Sequence, residues 1–342
     1  MTAAVAHEEI SRYLELARNG EIAGARAVVT RLLGQGVPPE SVIVDLLCAA
    51  QRELGERWHR NEWSVADEHL VSGQTQRALD AMFAGGPPVP GDRGHVLVVC
   101  AEGDWHSLPA QVVAEVLRGR GWDVSCLGAS TPAAHVAAYL DRRPATAVAV
   151  SCSLPLFFMG VRRIAEVAHE RRIPVLAGGR ALGTDGRRAA MLGADAWAPD
   201  AAAAAKTLEA WTMAPPVEQA VAAPVPPAYS LLQSRAAELA RVATESLERS
   251  LPEVARYDGE QRARTLEDLE FIVRFVAAAG LVEDDNVLVD LVVWLGELLG
   301  HRRVPRAALV AGLEELCAAL VPVDANAAEL LRHGLAKSSE FA

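Results

Sequence analysis

The sequence has no long hydrophobic run and little positive charge, and these two scarcities exclude several classes of protein. Hydrophobic residues make up 51% of the 342 residues, yet no apolar run approaches the roughly 20 residues that cross a bilayer. The chain also begins without a signal-peptide pattern. Acidic residues outnumber basic ones by 44 to 33, and the formal net charge of −11 argues against non-specific binding to nucleic acid. We therefore expect a cytoplasmic protein that binds neither membranes nor nucleic acid.

Cysteine is also scarce, and the few that occur are scattered without a Cys-x-x-Cys pair. Such usage is typical of reduced thiols in a cytoplasm and argues against a disulfide framework or a zinc site. The five residues are Cys48, Cys100, Cys126, Cys152 and Cys317.

Two stretches rich in proline and glycine read as linkers, because these residues interrupt regular structure. The first is Gly85–Gly91, and the second runs from Ala214–Pro216 to Pro224–Pro227. A chain of this length should hold two or three domains. The linkers predict three, at residues 1–84, 94–213 and 228–342.

Apolar residues at three-and-four spacing predict that residues 1–84 form a four-helix bundle. The predicted helices are His7–Arg18, Glu21–Leu33, Glu40–Arg60 and Val65–Phe83.

Residues 94–213 alternate strand-like and helix-like patterns, which predicts a five-stranded parallel sheet of flavodoxin-like (Rossmann-type) order. The predicted strands are Val96–Cys100, Asp123–Leu127, Ala147–Ser151, Val175–Ala177 and Ala196–Ala198. The predicted helices are Leu108–Arg118, Pro132–Asp141, Gly160–Glu170 and Gly186–Leu192.

Residues 228–342 carry only helical patterns, without a DNA-reading helix-turn-helix that has a basic face. The overall fold class is therefore α/β plus all-α. The predicted helices are Tyr229–Ser250, Gln261–Ala279, Asp284–Leu299, Pro305–Val321 and Ala325–Leu335.

A polar loop follows the first strand and places Glu102, Asp104 and His106 at alternate positions. Ligand sites in open α/β sheets lie at the carboxyl ends of strands. A carboxylate two residues from an imidazole can hold one ring nitrogen and leave the other for a metal. The same residues would also suit a polar loop whose histidine makes ordinary surface hydrogen bonds, and the loop alone does not separate the two.

A second polar group lies where two N-terminal helices meet. Ser64 and Asp67 predict a capping box, so that a helix starts at Val65. The turn would bring Trp58, near the end of the preceding helix, close to Glu68 and His69. The plain alternative is a core tryptophan with Glu68 and His69 facing solvent.

Glu102-x-Asp104-x-His106 resembles the cobalamin-binding motif Glu-x-Asp-x-His-x-x-Gly, although Pro109 stands where that family has glycine. The resemblance implies that His106 is the lower ligand to cobalt. Two later segments resemble those that border the buried nucleotide tail of the cofactor in the family. They contribute Ser151 and Ser153, and Gly178 and Gly179.

A tryptophan, nine residues and then Glu-His resembles the helical cap of light-sensing adenosylcobalamin proteins related to bacterial carotenoid-gene repressors. The resemblance implies that Trp58, Glu68 and His69 pack over the adenosyl face. It also implies that His59 can bind cobalt once the adenosyl group is lost.

An all-helical domain after such a module resembles the photocobilins, whose C-terminal globin-like domain binds biliverdin. An apolar slot with nearby cations would suit that pigment, although the same residues would occur in a plain helical core. Cys317 reads as a small buried residue and not as an attachment point. The candidates are Arg256, Phe271, Arg274, Phe275, Trp294, His301 and Arg302.

These resemblances imply a light-sensing regulatory protein that binds adenosylcobalamin and biliverdin and is not an enzyme. Loss of the adenosyl group would change its domain arrangement and its assembly as a homo-oligomer. One alternative is a corrinoid protein that shuttles methyl groups for a methyltransferase. Another is a cobalamin sensor whose C-terminal domain is a protein-interaction module without a pigment.

Overall fold

Two compact units divide the chain, Met1–Ala222 and Ala223–Ala342. The computed structural model describes residues 5–83, 93–216 and 219–338. The predicted linker Gly85–Gly91 lies outside the described residues. Of the second linker, all but residues 217–218 is described, and the helix that follows it begins at Pro227.

A five-stranded parallel sheet forms the centre of the first unit, in the order β2-β1-β3-β4-β5. Its strands match the predicted ones to within one residue at each end, and the flavodoxin-like order is confirmed. All residues of β1 and β3 are buried, as expected for parallel strands covered on both faces. The strands are β1 (His95–Cys100), β2 (Asp123–Cys126), β3 (Ala147–Ser151), β4 (Val175–Gly178) and β5 (Ala196–Ala198).

The strand register brings three loop starts together at one edge of the sheet. Cys100 pairs with Ser151, and Ser151 pairs with Gly178. Because all three residues end parallel strands, the polar loops that follow them leave the sheet side by side. This places the Glu102–His106 loop next to Ser153 and Gly179.

Five helices follow the strands of this sheet, and the sequence analysis missed the last of them. That helix consists largely of alanine and therefore has no contrast between an apolar and a polar face. Asp200 caps it, since its Oδ1 atom accepts a hydrogen bond from the Ala203 amide at 2.7 Å. The helices are α6 (Ser107–Gly119), α7 (Ala133–Arg142), α8 (Phe158–His169), α9 (Arg187–Met191) and α10 (Ala201–Met213).

The N-terminal helices (residues 7–82) pack against the sheet domain through one continuous apolar core. Tyr13, Leu46 and Leu79 belong to the same cluster as Val98 and Ala110 of the sheet domain. The helix predicted at Glu40–Arg60 is divided, because the backbone forms a wider π-helical turn at Val42–Leu47. The helices are α1 (His7–Arg18), α2 (Ile22–Gly34), α3 (Pro39–Ser41), α4 (Cys48–His59) and α5 (Val65–Met82).

The turn between α4 and α5 is fixed by its side chains. Ser64 and Asp67 form the predicted capping box at the start of α5. Trp63 is buried, and the guanidinium carbons of Arg18 and Arg57 lie 4.9 and 4.8 Å from its ring centroid. Cation–π contacts of this kind stabilise the turn.

The second unit is all-helical over its described residues, and its helices bury apolar side chains such as Ala243, Val276 and Leu316. The predicted helices are all present, each within four residues of its predicted ends. Gly334 of the last helix lies so close to the Leu288 side chain that an added Cβ would be 2.8 Å from it. The helices are α11 (Pro227–Ser250), α12 (Gly259–Leu281), α13 (Asn286–His301), α14 (Arg306–Leu320) and α15 (Ala325–Ser338).

Within the described residues of both units, no helix is both long enough and apolar enough to cross a membrane.

Candidate cofactor-binding site

The Asp104 carboxylate organises the loop after β1, although the side chain is fully buried. Its Oδ1 atom lies 2.8 Å from His106 Nδ1 and accepts a hydrogen bond from the His106 amide at 3.0 Å. Its Oδ2 atom accepts a hydrogen bond from the Ser153 amide at 2.7 Å. Asp104 therefore ties the loop after β1 to the loop after β3 and sets the orientation of the His106 ring.

His106 presents its other ring nitrogen away from Asp104, since Nδ1 is engaged by the carboxylate. The hydrogen bond that the ring donates to Asp104 raises the pKa of His106, burial opposes that effect, and the charges of Asp104 and Glu68 add to the rise. Burial alone would raise the pKa of Asp104, but hydrogen bonds from His106 and Ser153 outweigh it and hold that pKa below its ordinary value. An imidazole held at Nδ1 by a carboxylate is the usual arrangement of a metal-binding histidine.

A cavity of about 920 Å³ lies between the N-terminal helices and the sheet domain. His106 contributes to one wall, and Trp58, Glu68 and His69 contribute to the wall formed by α4 and α5. Most residues of the sequence-based site converge here. Those that line the cavity are Trp58, Glu68, His69, His106, Ser151, Ser153, Gly178 and Gly179.

Three residues of the sequence-based site lie outside this lining. Asp104 is buried behind His106. Glu102 lies beside Arg163, whose Nη1 atom is 3.5 Å from the carboxylate. His59 is the last residue of α4 and is half-buried, whereas its neighbour Trp58 lines the cavity.

The cavity continues between one face of the sheet and helices α6 and α10, and the sequence analysis missed this part. Its walls are apolar and are built mainly from small side chains, which leave a slot where larger ones would fill the core. The signal was the run of alanines in β3, β5 and α10. The slot residues include Val98, Ala110, Val113, Ala149, Leu176, Ala198 and Ala204.

Glycine is required after β4 because the backbone passes close to the loop after β3. Gly179 has a φ of +109°, and a Cβ on it would lie 2.2 Å from the Cys152 carbonyl oxygen.

Pro109 is exposed in the first turn of α6, where a proline costs no helical hydrogen bond. Replacing the family's glycine by Pro109 therefore leaves the helix start intact.

The opposite wall carries an acidic side chain with defined partners. Glu68 Oε2 lies 2.5 Å from His69 Nδ1, and Glu68 Oε1 accepts a hydrogen bond from the Ser72 hydroxyl at 2.7 Å. Two of the cavity-lining apolar side chains are unusually exposed, Val65 at 53% and Trp105 at 77%. Exposed apolar surface around a cavity is typical of a site for a large, partly apolar ligand.

The residues of the cavity fit a metal that is already bound within a macrocyclic cofactor. Within the described ranges 5–83, 93–216 and 219–338, no three histidine, cysteine, aspartate or glutamate side chains converge to hold a bare metal ion. The wall offers a single oriented imidazole, His106, beside a large cavity. One axial ligand is what a metal already held by a macrocycle requires.

Comparison with known proteins agrees with this chemistry. Residues 94–206 match the family model described as the B12 binding domain, and residues 9–82 match a second family model of the same description. The α/β part of the chain is thus a cobalamin-binding domain, and the two matches support cobalamin binding by this protein.

A curated relative is a regulator. Over 110 residues, the chain is 34% identical to the HTH-type transcriptional repressor CarA of Myxococcus xanthus. This match covers 31% of this chain and 36% of the repressor. The chain thus spans about a third of the length of that relative. Among solved structures, the monomethylamine corrinoid protein of Methanosarcina barkeri is 22% identical, with a TM-score of 0.52. That match covers 60% of this chain and 100% of the corrinoid protein, and it shows a shared fold.

Proposed function

We propose that this protein is a cytoplasmic light-sensing regulator that binds adenosylcobalamin between the N-terminal helices and the sheet domain. It has no catalytic activity of its own and acts through its assembly as a homo-oligomer and not through nucleic acid or membranes. The observation that carries the proposal is the pair of facing walls. An oriented imidazole, His106, lies on one, and Trp58 with Glu68 and His69 lies on the other.

On the lower wall, His106 would hold the cobalt of the cofactor, and Asp104 would orient the His106 ring. The hydrogen bond to Asp104 leaves the lone pair of Nε2 for the metal. The apolar slot between the sheet and helices α6 and α10 has the chemistry to take an aromatic nucleotide base. Ser151 and Ser153 lie at the strand-end side of this part of the cavity.

On the upper wall, Trp58 offers a flat apolar surface to the adenine ring of the adenosyl group, and Glu68 offers an acceptor to the ribose hydroxyl groups. The bound cofactor would supply a cobalt–carbon bond that light breaks. Trp58 and Glu68 belong to α4 and α5, so contacts made with the adenosyl group stabilise one placement of these helices. Losing contacts worth a few kcal/mol is enough to change a two-state equilibrium.

His59 has a role only after those contacts are lost. It follows Trp58 at the end of α4 and lies outside the cavity lining. A change at the end of this helix would be needed to bring its imidazole to the metal. By binding the metal, His59 would then stabilise the arrangement that α4 and α5 adopt after the adenosyl group is lost.

A methyl-shuttling corrinoid protein is the competing function. A carrier of that kind must expose its upper face to a partner enzyme. Here Trp58, Glu68 and His69 occupy the wall above His106, which favours the sensor.

The second unit is proposed to be a globin-like domain that binds biliverdin. Phe271 and Phe275 are in contact, with ring centroids 4.9 Å apart and ring planes tilted by 44°; Phe271 is 36% exposed, whereas Phe275 is buried. An exposed aromatic ring next to a buried one can extend the apolar core onto a flat pigment. Cys317 is buried, and burial raises the pKa of its thiol, which favours non-covalent binding.

The test is the absorption spectrum of the full chain with adenosylcobalamin, in darkness and after green light, with size-exclusion chromatography of both samples. We expect a protein-bound cobalamin spectrum that changes on illumination together with the elution volume. Tight binding of methylcobalamin, with no preference for the adenosyl form and no change in assembly, would support the methyl carrier instead.

A further inference from the structure

A chain of hydrogen bonds runs from the core of the N-terminal helices to the cavity wall. At its buried end, the Tyr13 hydroxyl donates to Thr75 Oγ1 at 3.1 Å. Burial raises the pKa of Tyr13 to about 12, although the hydrogen bond to Thr75 opposes this, so the phenol keeps its proton. The Thr75 hydroxyl donates its own proton to the Val71 carbonyl at 3.0 Å.

These bonds fix the orientation of the next residue, Gln51 of α4. Because the only proton of the Thr75 hydroxyl goes to a carbonyl, Thr75 can only accept from Gln51. Gln51 therefore turns its amide nitrogen to Thr75, at 2.8 Å, and its oxygen to Ser72. The Ser72 hydroxyl lies 3.0 Å from that oxygen.

The Ser72 hydroxyl has one proton and lies near two acceptor atoms. Its hydroxyl lies 2.7 Å from Glu68 Oε1 and 3.0 Å from Gln51 Oε1, and both of these atoms only accept. Ser72 thus holds the Glu68 carboxylate without saturating it. Glu68 lines the cavity, and its remaining lone pairs are available to a ligand that carries hydrogen-bond donors.

The network also joins the two helices of the upper wall. Ser72 follows Glu68 by one turn of α5, and Gln51 precedes Trp58 by about two turns of α4, so each pair shares a helix face. Because the Ser72 hydroxyl shares its one proton between Glu68 Oε1 and Gln51 Oε1, it links the faces that present Glu68 and Trp58.

We propose that Ser72, held by Gln51, is a positioning residue that makes the upper site selective for a cobalamin whose upper group carries hydroxyl donors. This inference rests on the proposed function. Ser72 fixes the direction of the Glu68 carboxylate, and that fixed direction favours adenosylcobalamin over methylcobalamin.

The experiment measures dissociation constants of the full chain for adenosylcobalamin and methylcobalamin in darkness, by absorption titration. Ser72→Ala should lower the preference for the adenosyl form about three- to tenfold, the effect of one typical hydrogen bond. Ser72→Thr keeps the hydroxyl and should restore the preference. In a Glu68→Gln background, Ser72→Ala should change the preference by less than about twofold, because the two residues act as a unit.

Tyr13→Phe is the matched control, since it also deletes one hydroxyl from the same network. Thermal stability should fall, because the buried bond between Tyr13 and Thr75 is lost. The preference for adenosylcobalamin should stay as in the wild type, because Gln51 remains bonded to Thr75. An unchanged preference in Ser72→Ala, or an equal loss in Tyr13→Phe, would overturn the role of Ser72. A wild-type protein with no preference for the adenosyl form would instead overturn the proposed function itself.

Discussion

Asp104 Oδ1 lies 2.8 Å from His106 Nδ1, and the two side chains differ completely in exposure. The carboxylate is fully buried, whereas 59% of the histidine side chain is accessible. The buried partner is further fixed by the amides of His106 and Ser153. The pair thus presents an accessible, oriented ring on a buried support, which is the arrangement needed to place a ligand atom before the metal arrives.

Replacing His106 by alanine should remove the lower ligand to cobalt. We expect affinity for adenosylcobalamin to fall about tenfold or more, equivalent to about 1.4 kcal/mol. The dark absorption spectrum should change at the same time to that of a cofactor without a protein imidazole. His135→Ala is the control, because His135 is exposed on α7 and lies outside the cavity lining. An unchanged spectrum and affinity in His106→Ala would show that another group binds the metal.

Replacing Trp58 by alanine should reduce the preference for adenosylcobalamin over methylcobalamin. The lost aromatic contact is worth about 1 kcal/mol or more, so the ratio of the two dissociation constants should change about fivefold. Trp58→Phe keeps an aromatic face and should retain much of the preference. If wild type and Trp58→Ala discriminate equally, Trp58 does not contact the upper group.

His59 is predicted to become a cobalt ligand only after illumination. A spectrum with two axial imidazoles should therefore appear in the illuminated wild type and not in His59→Ala, while the dark spectra of both proteins agree. The same light spectrum in both proteins would transfer this role to His69 or to solvent.

Asp195 offers a test of the sheet domain that is independent of the cofactor. Its Oδ2 atom lies 2.9 Å from His169 Nε2 and accepts from the Val175 amide at 2.6 Å, and its Oδ1 atom accepts from the Ala220 amide at 2.7 Å. Burial alone would raise the pKa of Asp195. The hydrogen bonds from these three partners outweigh burial and hold that pKa below its ordinary value.

A lowered pKa stabilises the folded protein above the pKa of the unfolded chain, about 3.9, and this contribution is lost as the pH falls through the folded value. Asp195→Asn should therefore cost about 1–3 kcal/mol of unfolding free energy at pH 7, and less in acid. Urea unfolding of both proteins between about pH 3 and pH 7 measures the difference. Asp141→Asn, which removes an exposed partner of Arg171, should leave the unfolding free energy almost unchanged at every pH. A pH-independent loss in Asp195→Asn would contradict this account.

The sheet was predictable from the sequence because β1, β3 and β4 are short apolar runs and an amphipathic helix follows each of β1, β2 and β3. The convergence of the site was predictable for the same reason. Ser151 and Gly178 end neighbouring parallel strands, so any polar loops that follow them must meet. Helix α10 escaped prediction because a run of alanines gives no periodic contrast.

The tertiary details were not predictable, because they depend on residues from separate elements. The apolar slot exists because Ala149 and Ala198 are small where two strands face α6 and α10. The Gln51–Ser72 bond requires that α4 and α5 present matching faces, and the π-helical turn at Val42–Leu47 precedes α4 and helps set its rotation. No local pattern in the sequence specifies either relationship.

Biliverdin binding by the second unit can be tested with the full-length protein. Full-length protein mixed with biliverdin should give a red-absorbing complex at stoichiometric loading, because Phe271 extends the apolar core to the surface. Phe271→Ala should weaken this binding about fivefold or more, the worth of one aromatic contact. Val242→Ala is the matched control, since Val242 is a similarly exposed apolar residue on α11, at 39%. Equal weakening in both variants would place the pigment elsewhere on the unit. A full-length protein that stays colourless in the red would leave the cobalamin sensor alone and make this unit an interaction module.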